Sequence, residues 1–120
     1  MNTILLIEDN EQNRYLATFL LEKRGFKVVC ADTGRAGLAR VAEQIPDLIL
    51  LDIQLPEMDG YAVARELRAR FLTKAIPIVA VTSYAMPGDR EQAISAGCNG
   101  YIEKPINPDT FVDDVACYLE

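Results

Sequence analysis

The chain has 120 residues, half of them hydrophobic and a quarter charged, which indicates one globular domain spanning residues 1–120. Its net charge of −6 argues against a nucleic-acid-binding surface, because phosphate backbones are bound by clustered Lys and Arg. The sequence contains no His, which excludes imidazole bases and His-ligated metal sites.

The sequence lacks the features of an exported or membrane-bound protein. No apolar run approaches the ~18 residues that a membrane helix needs, and Glu8 and Asp9 interrupt the N-terminal apolar run. Cys30, Cys98 and Cys117 are widely spaced and cannot all pair, which favours reduced thiols. We therefore expect a cytoplasmic protein that has no contact with membranes.

Five short apolar runs predict five strands, at residues 4–7, 27–31, 48–51, 78–81 and 100–103. The run 48–51 is apolar at every position, which is typical of a strand buried on both faces of a parallel sheet. Each strand is followed by a segment with helical spacing. Five repeats of strand and helix predict a doubly wound α/β fold with helices on both faces of the sheet.

The predicted helices have apolar positions at helical spacing and end-signals at their termini. Asp9 or Asn10 is expected to cap the first helix, which ends near Gly25, and Asn107 with Pro108 predicts the start of the fifth. The apolar positions are Tyr15, Leu16, Phe19 and Leu20 in the first helix, Leu38, Val41, Ala42 and Ile45 in the second, Ala64, Leu67 and Phe71 in the third, Ala93, Ile94 and Ala96 in the fourth, and Phe111, Val112, Val115, Ala116 and Leu119 in the fifth.

Polar side chains follow four of the strands at the point where each strand ends: Glu8 and Asp9, Asp52, Thr82, and Lys104. In open α/β sheets, this carboxyl edge is where ligands bind. Three carboxylates about 5 Å apart would repel by roughly 3 kcal/mol per pair at an effective dielectric of 20. A cation must offset this repulsion, and oxygen ligands alone favour Mg²⁺ or Mn²⁺ over Zn²⁺.

A carboxylate beside a divalent cation, a lysine and a hydroxyl is suited to phosphoryl transfer. Asp52 would be the nucleophile and would form an aspartyl phosphate. The alternative is that Lys104 and Asp52 form a partly buried ion pair with Thr82 as an ordinary strand-end hydroxyl. The combination of these residue types at four strand ends favours the phosphoryl-transfer interpretation.

The chain resembles the receiver domain of two-component response regulators over nearly its full length. The matching motifs are the acidic pair 8–9, the stretch 51–60 (LDIQLPEMDG), the stretch 81–85 (VTSYA) and the stretch 100–105 (GYIEKP). The resemblance implies a CheY-like, flavodoxin-like (βα)5 sandwich with strand order 2-1-3-4-5. We expect a stand-alone single-domain regulator, with the N-terminal domain of a longer regulator as the alternative.

The resemblance also implies roles for the residues at the strand ends. Asp52 would be the phosphoacceptor, Thr82 and Lys104 would hold the phosphoryl group, and the Lys104–Pro105 peptide would be cis. By the same resemblance, Asp9 would bind Mg²⁺ directly and Glu8 through water, with Asp52 and the backbone carbonyl of residue 54 completing the protein ligands.

The resemblance implies that one partner protein phosphorylates the chain and that another protein binds the surface changed by phosphorylation. The phosphoryl group would come from a phosphohistidine on a sensor histidine kinase or a histidine phosphotransfer protein. Thr82 would move toward the phosphate and Tyr101 would turn inward, which would change the face made by the fourth helix, fifth strand and fifth helix. Gln54 and Tyr84 would tune the lifetime of the phosphoryl group, and the protein would be a monomer or a phosphorylation-promoted dimer.

Three other functions compete with a phosphorylated regulator. A haloacid-dehalogenase-type phosphohydrolase would need a second Asp two residues after the nucleophile, where this chain has Gln54. A flavodoxin-like cofactor binder would need a phosphate-binding turn after the first strand, where Glu8 and Asp9 would repel phosphate. A receiver that binds partners without being phosphorylated is disfavoured by the presence of Asp52, Thr82 and Lys104 together.

Overall fold

The computed structural model of the protein describes residues 2–83 and 88–119. In this part of the chain, five strands alternate with five helices and a short 3₁₀ turn follows the last helix. The elements are β1 Thr3–Ile7, α1 Glu11–Lys23, β2 Lys27–Ala31, α2 Gly34–Glu43, β3 Leu48–Asp52, α3 Gly60–Ala69, β4 Ile78–Thr82, α4 Asp89–Ala96, β5 Gly100–Glu103, α5 Phe111–Ala116 and the 3₁₀ turn Cys117–Leu119.

The strands form one parallel sheet in the order β2-β1-β3-β4-β5. The predicted fold class and strand order are therefore confirmed. The register pairs Asp52 with Val81 and Thr82 with Glu103, so the carboxyl ends of β3, β4 and β5 lie side by side. This register brings the polar residues after the strands to one edge of the sheet.

Each face of the sheet is covered by its own hydrophobic core. Alternate residues of the central strands point to opposite faces, so Leu51 belongs to one core and Leu50 to the other. The first core contains residues of α2, α3 and α4, and the second contains residues of α1 and α5. Because both faces are covered, β3 and β4 are buried at every position, as the unbroken apolar runs predicted.

The predicted apolar face of α1 is partly wrong. Ala17 and Leu21 are the buried residues of this helix, whereas Tyr15 is 75% exposed and Phe19 is also exposed. The two aromatic rings stack on the outer surface, with centroids 6.5 Å apart. Ala17 and Leu21 lie on one face of the helix, and Tyr15 and Phe19, each two residues away from Ala17, lie on the opposite face.

The predicted inward positions of α2, α3 and α4 also need correction. Phe71 lies beyond the end of α3 and is 79% exposed, with the Lys74 ammonium 4.8 Å from its ring centroid. Ile45 lies beyond α2, and Ile94 on α4 is exposed. Ala42 is exposed as well. Helical spacing alone does not show where a helix ends, which explains Phe71 and Ile45. Ala42 and Ile94 lie within their helices but on the side that faces solvent.

The start of α5 lies later than the Asn107–Pro108 pair predicted. The α-helix begins at Phe111, and residues 108–110 before it form a turn. The Asn107 side-chain oxygen accepts from the Asp109 N–H at 2.9 Å, and its backbone oxygen accepts from the Phe111 N–H at 2.9 Å. Asn107 therefore satisfies backbone donors as a cap does, but ahead of a turn rather than of the helix itself.

The C-terminal end of α4 is fastened to the segment after α3 by Arg68. The Arg68 guanidinium donates to the carbonyl oxygens of Gly97 at 2.8 Å and Ile76 at 2.7 Å, and to Asn99 Oδ1 at 2.5 Å. Cys98 is buried beside it, and burial raises the pKa of its thiol to about 11, although the Arg68 charge opposes the shift. All three cysteines are free thiols, and Cys117 is the exposed one.

Candidate functional site

Three carboxylates meet at the carboxyl edge of the sheet. Glu8 and Asp9 follow β1 and Asp52 ends β3, and one oxygen of each lies within 4.8 Å of the others. Glu8 is 4% exposed and Asp52 is 3% exposed, whereas Asp9 faces solvent. The residues singled out in the sequence are thus adjacent in space, with two carboxylates buried and one accessible.

Lys104 supplies the positive charge of the cluster. Its Nζ lies 2.5 Å from Glu8 Oε1 and 3.4 Å from Asp52 Oδ2, and its side chain is 10% exposed. Its backbone N–H donates to the Thr82 carbonyl oxygen at 2.7 Å, which fixes Lys104 beside the end of β4. The Lys104–Pro105 peptide bond is cis. One ammonium therefore offsets two buried carboxylates, and the cluster keeps an excess of negative charge.

This excess affects the ionisation of Asp52. Burial raises the pKa of Asp52 above its ordinary value of 3.8, and the hydrogen bond and negative charge of Glu8 raise it further. The Gln54 N–H, which donates to Asp52 Oδ1 at 3.0 Å, and the Lys104 charge oppose the shift. The net effect is that the folded protein favours the neutral form of Asp52 more than the unfolded chain does.

Replacing Asp52 with Asn is therefore expected to stabilise the metal-free protein at neutral pH by about 1 kcal/mol, since Lys104 offsets part of the roughly 3 kcal/mol repulsion between neighbouring carboxylates. The cost of ionising Asp52 is fully present above its folded pKa and vanishes as the pH falls below the unfolded value. Urea unfolding of both proteins from neutral to acidic pH should show a gain that shrinks with acid.

Asp47→Asn is the matched control, because Asp47 lies exposed just before the other end of β3. Its Oδ2 accepts from the Thr3 N–H at 2.7 Å, and an asparagine oxygen can replace that acceptor. The control should show no pH-dependent gain. An Asp52→Asn protein less stable than the parent at neutral pH would contradict the argument.

The Gln54 side chain joins the ends of β3 and β4, a contact that the sequence did not predict. Its Nε2 donates to Thr82 Oγ1 at 2.6 Å, and its Oε1 accepts from Ser83 Oγ at 2.9 Å. Thr82 is buried, whereas Ser83 is exposed at the rim. No sequence signal identifies this contact, because it depends on the register between β3 and β4.

Local structure around β1 holds the acidic pair in place. Asn10 caps α1, as one of the two predicted candidates, with its side chain accepting from the Asn13 N–H at 2.9 Å. The Asn10 N–H donates to Glu8 Oε2 at 3.2 Å, and Arg14 donates to the Glu8 carbonyl oxygen at 2.9 Å. The first turn of α1 thereby orients the Glu8 side chain and leaves Asp9 open to solvent.

The loop after β3 is held against Asp52 by a close backbone approach. A Cβ atom added to Gly60 would lie 2.5 Å from the Asp52 carbonyl oxygen and 2.7 Å from the Ile53 Cα. Only glycine fits there without moving the backbone. Asp59 caps α3 by accepting from the Ala62 N–H at 2.9 Å. The Asp59–Gly60 pair thus allows the start of α3 to pack directly against the end of β3.

Two further predicted residues lie away from the carboxylates or outside the described structure. Tyr101 is half-buried on β5 and packs against the core that contains α3 and α4. Tyr84, proposed to affect the lifetime of the phosphoryl group, falls outside the described residues.

The donor set fits a hard divalent cation. All the clustered ligand atoms are carboxylate oxygens, and one of the three carboxylates is exposed to solvent. Mg²⁺ prefers such oxygens and retains several waters, for which an accessible carboxylate leaves room. With an ammonium and a hydroxyl on the neighbouring strands, the edge of the sheet has the groups that bind a phosphoryl group beside a metal.

Comparison with known proteins identifies the family. Residues 4–116 match the family model described as response regulator receiver domain. The polar-differentiation response regulator DivK of Brucella ovis is 39% identical over 117 residues, which cover 98% of this chain and 95% of that protein. The Vibrio cholerae chemotaxis response regulator CheY4 is 27% identical and superposes with a TM-score of 0.94 over 99% of each chain.

A third relative connects the fold with a metal. The receiver domain of the sensor histidine kinase PA1611 from Pseudomonas aeruginosa is 34% identical, with a TM-score of 0.90 over 98% of this chain and 97% of that one. Its structure contains a magnesium ion coordinated in the active-site cleft.

None of the helices in the described part of the chain has the length and apolar character needed to cross a bilayer. The chain belongs to the response regulator receiver domain family, the phosphorylation-dependent switches of two-component signalling.

Proposed function

We propose that Asp52 is the phosphoacceptor of this chain and that residues 1–120 form one receiver domain. The observation that supports this most directly is the buried Asp52 carboxylate with Lys104 Nζ 3.4 Å away and the Thr82 hydroxyl on the adjacent strand. An Asp52 oxygen attacks the phosphorus of a partner's phosphohistidine, and the P–N bond breaks with its electron pair returning to the imidazole. The product is an aspartyl phosphate.

The neighbouring side chains stabilise the transferring group. The Lys104 ammonium binds one phosphoryl oxygen, and the Thr82 hydroxyl donates to another. Asp9 and Asp52 would hold Mg²⁺, or Mn²⁺, directly, Glu8 would do so through water, and the Gln54 backbone carbonyl would complete the protein ligands. When bound, the metal neutralises charge on the phosphoryl oxygens. The same groups promote phosphorylation of Asp52 by small phosphoryl donors and, more slowly, hydrolysis of the aspartyl phosphate. Gln54 and Tyr84 affect the lifetime of the aspartyl phosphate.

The output surface lies on α4, β5 and α5. A groove of about 370 Å³ follows this face, and Tyr101, Ile102, Phe111 and Tyr118 are among the residues that line it. Phosphorylation draws Thr82 toward the phosphate, Tyr101 turns inward, and the altered face binds a downstream protein. The protein acts in the cytoplasm, receives its phosphoryl group from a sensor histidine kinase or a histidine phosphotransfer protein, and is a monomer or a phosphorylation-promoted dimer.

Intact mass spectrometry after incubation with acetyl phosphate and Mg²⁺ tests this proposal. We expect a gain of about 80 Da, one phosphoryl unit, in the parent protein, and none with EDTA or in Asp52→Asn. Asp47→Asn, altered beyond the opposite end of the same strand, should be phosphorylated like the parent. Turnover of acetyl phosphate without an adduct would indicate a hydrolase instead. If neither an adduct nor turnover of acetyl phosphate is observed, the protein is a scaffold that is not phosphorylated.

A further inference from the structure

The Gln54 side chain is bonded to both sides of the candidate phosphorylation site. Its amide nitrogen donates to Thr82 Oγ1, and its amide oxygen accepts from the Ser83 hydroxyl at 2.9 Å and from the Ser83 N–H at 3.3 Å. Its own backbone N–H donates to Asp52 Oδ1. One residue therefore links the carboxylate at the end of β3 to the hydroxyl at the end of β4.

These bonds hold Thr82 in the position that it has without a phosphoryl group. Thr82 is 2% exposed, and the 2.6 Å bond from Gln54 Nε2 is partly buried, so water competes less for Thr82 than it would at an exposed site. The two bonds to Ser83 restrain the Gln54 amide group, and the backbone bond to Asp52 fixes the position from which the side chain starts. A movement of Thr82 toward Asp52 has to break or rearrange this set.

We propose that the Gln54 side chain is a latch that stabilises the unphosphorylated conformation by holding Thr82 and Ser83. The inference rests on the proposed function, in which Thr82 donates to a phosphoryl group on Asp52. Gln54 acts through Thr82 and is a positioning residue. It sets the equilibrium between the two conformations before any phosphoryl group is present, and phosphorylation releases it.

A latch differs measurably from a shield against water. A side chain that only shields the aspartyl phosphate changes the hydrolysis rate and leaves the free protein unchanged. A latch changes the population of the active conformation in the free protein, and it weakens the binding of any ligand that requires that conformation. Removing the latch should therefore tighten the binding of a phosphoryl analogue.

The test uses Gln54→Met, which keeps the length of the side chain and removes its amide. Beryllofluoride with Mg²⁺ serves as the phosphoryl analogue, and its apparent affinity is measured from backbone amide NMR signals. We expect binding to tighten roughly 2- to 10-fold, the range for the net loss of one hydrogen bond. Without ligand, the Thr82 and Ser83 amide signals should move part of the way toward their beryllofluoride-bound positions.

Two further variants complete the test. Gln44→Met makes the same chemical change at the exposed C-terminal end of α2 and should bind beryllofluoride like the parent. Ser83→Ala removes only the hydroxyl that donates to the Gln54 amide oxygen, so it should tighten binding by a smaller factor. This second variant gives an independent test at an exposed position.

The outcomes separate the latch from the function on which it rests. If the parent binds beryllofluoride but Gln54→Met binds it no more tightly and its free signals do not move, the latch is overturned and the phosphoacceptor proposal stands. If the parent binds no more analogue than Asp52→Asn, both proposals are overturned. Tighter binding together with shifted signals in the ligand-free variant supports the latch.

Discussion

Replacing Lys104 with methionine is expected to lower the free energy of unfolding by about 3 kcal/mol at neutral pH without divalent cations. Lys104 Nζ contacts Glu8 at 2.5 Å and Asp52 at 3.4 Å, and all three side chains are nearly buried. Methionine leaves two buried carboxylates with no positive charge beside them. Urea unfolding measures the loss, and acidification should reduce it by protonating the carboxylates.

Lys74→Met is the matched control for this substitution. The Lys74 ammonium lies over the exposed Phe71 ring rather than beside a carboxylate, so its loss should cost well under about 1 kcal/mol. Mg²⁺ should restore part of the stability of Lys104→Met, because it supplies the missing positive charge. If the Lys104 variant is as stable as the parent in EDTA, the ammonium does not balance the cluster.

Mg²⁺ is expected to stabilise the parent protein by about 2.7 kcal/mol at a concentration 100 times its dissociation constant. The folded chain brings three carboxylate oxygens within 4.8 Å of one another, whereas the unfolded chain does not hold this site together. Asp9→Asn replaces the solvent-exposed carboxylate of the set and should move the response to much higher Mg²⁺ concentrations. Thermal or urea unfolding across a Mg²⁺ titration measures both effects.

Asp32→Asn is the control for general charge effects, since Asp32 is an exposed carboxylate just after β2 and is not part of the cluster. Its response to Mg²⁺ should match that of the parent. A parent protein that gains no stability from Mg²⁺ would contradict the metal site. An Asp9→Asn protein with an unchanged response would show that Asp9 is not a ligand.

The strands could be predicted from sequence more reliably than the faces of the helices. The run 48–51 is apolar at every position, and its short length between Pro46 and Pro56 favours a strand buried on both faces. The inward face of α1 could not be chosen from spacing alone. Tyr15 and Phe19 have the same four-residue spacing as Ala17 and Leu21, but they lie on the opposite face of the helix.

The site was predictable to the extent that it follows from topology. Parallel strands bring their carboxyl ends to one edge, and the strand order implied by the resemblance puts β3 beside β4. Asp52 and Thr82 were therefore expected to lie near one another. The bond from Gln54 to Thr82 could not be predicted in this way. These residues are 28 positions apart, and their contact depends on the register between β3 and β4 and on the path of the chain just after β3. The sequence pattern specifies neither.

The alkylation rate of Cys98 can be used to measure how often the segment after α4 separates from Arg68. Alkylating reagents attack the thiolate, and a thiol whose pKa is about 11 is ionised in only about one molecule in a thousand at a mildly alkaline pH. Exposed Cys117 is open to the reagent in the folded protein and half-buried Cys30 partly so, whereas buried Cys98 should react only when the segment after α4 separates from Arg68. The lag between the labelling of Cys117 and that of Cys98 should report the free energy of this local opening, without a probe having to be added to the protein.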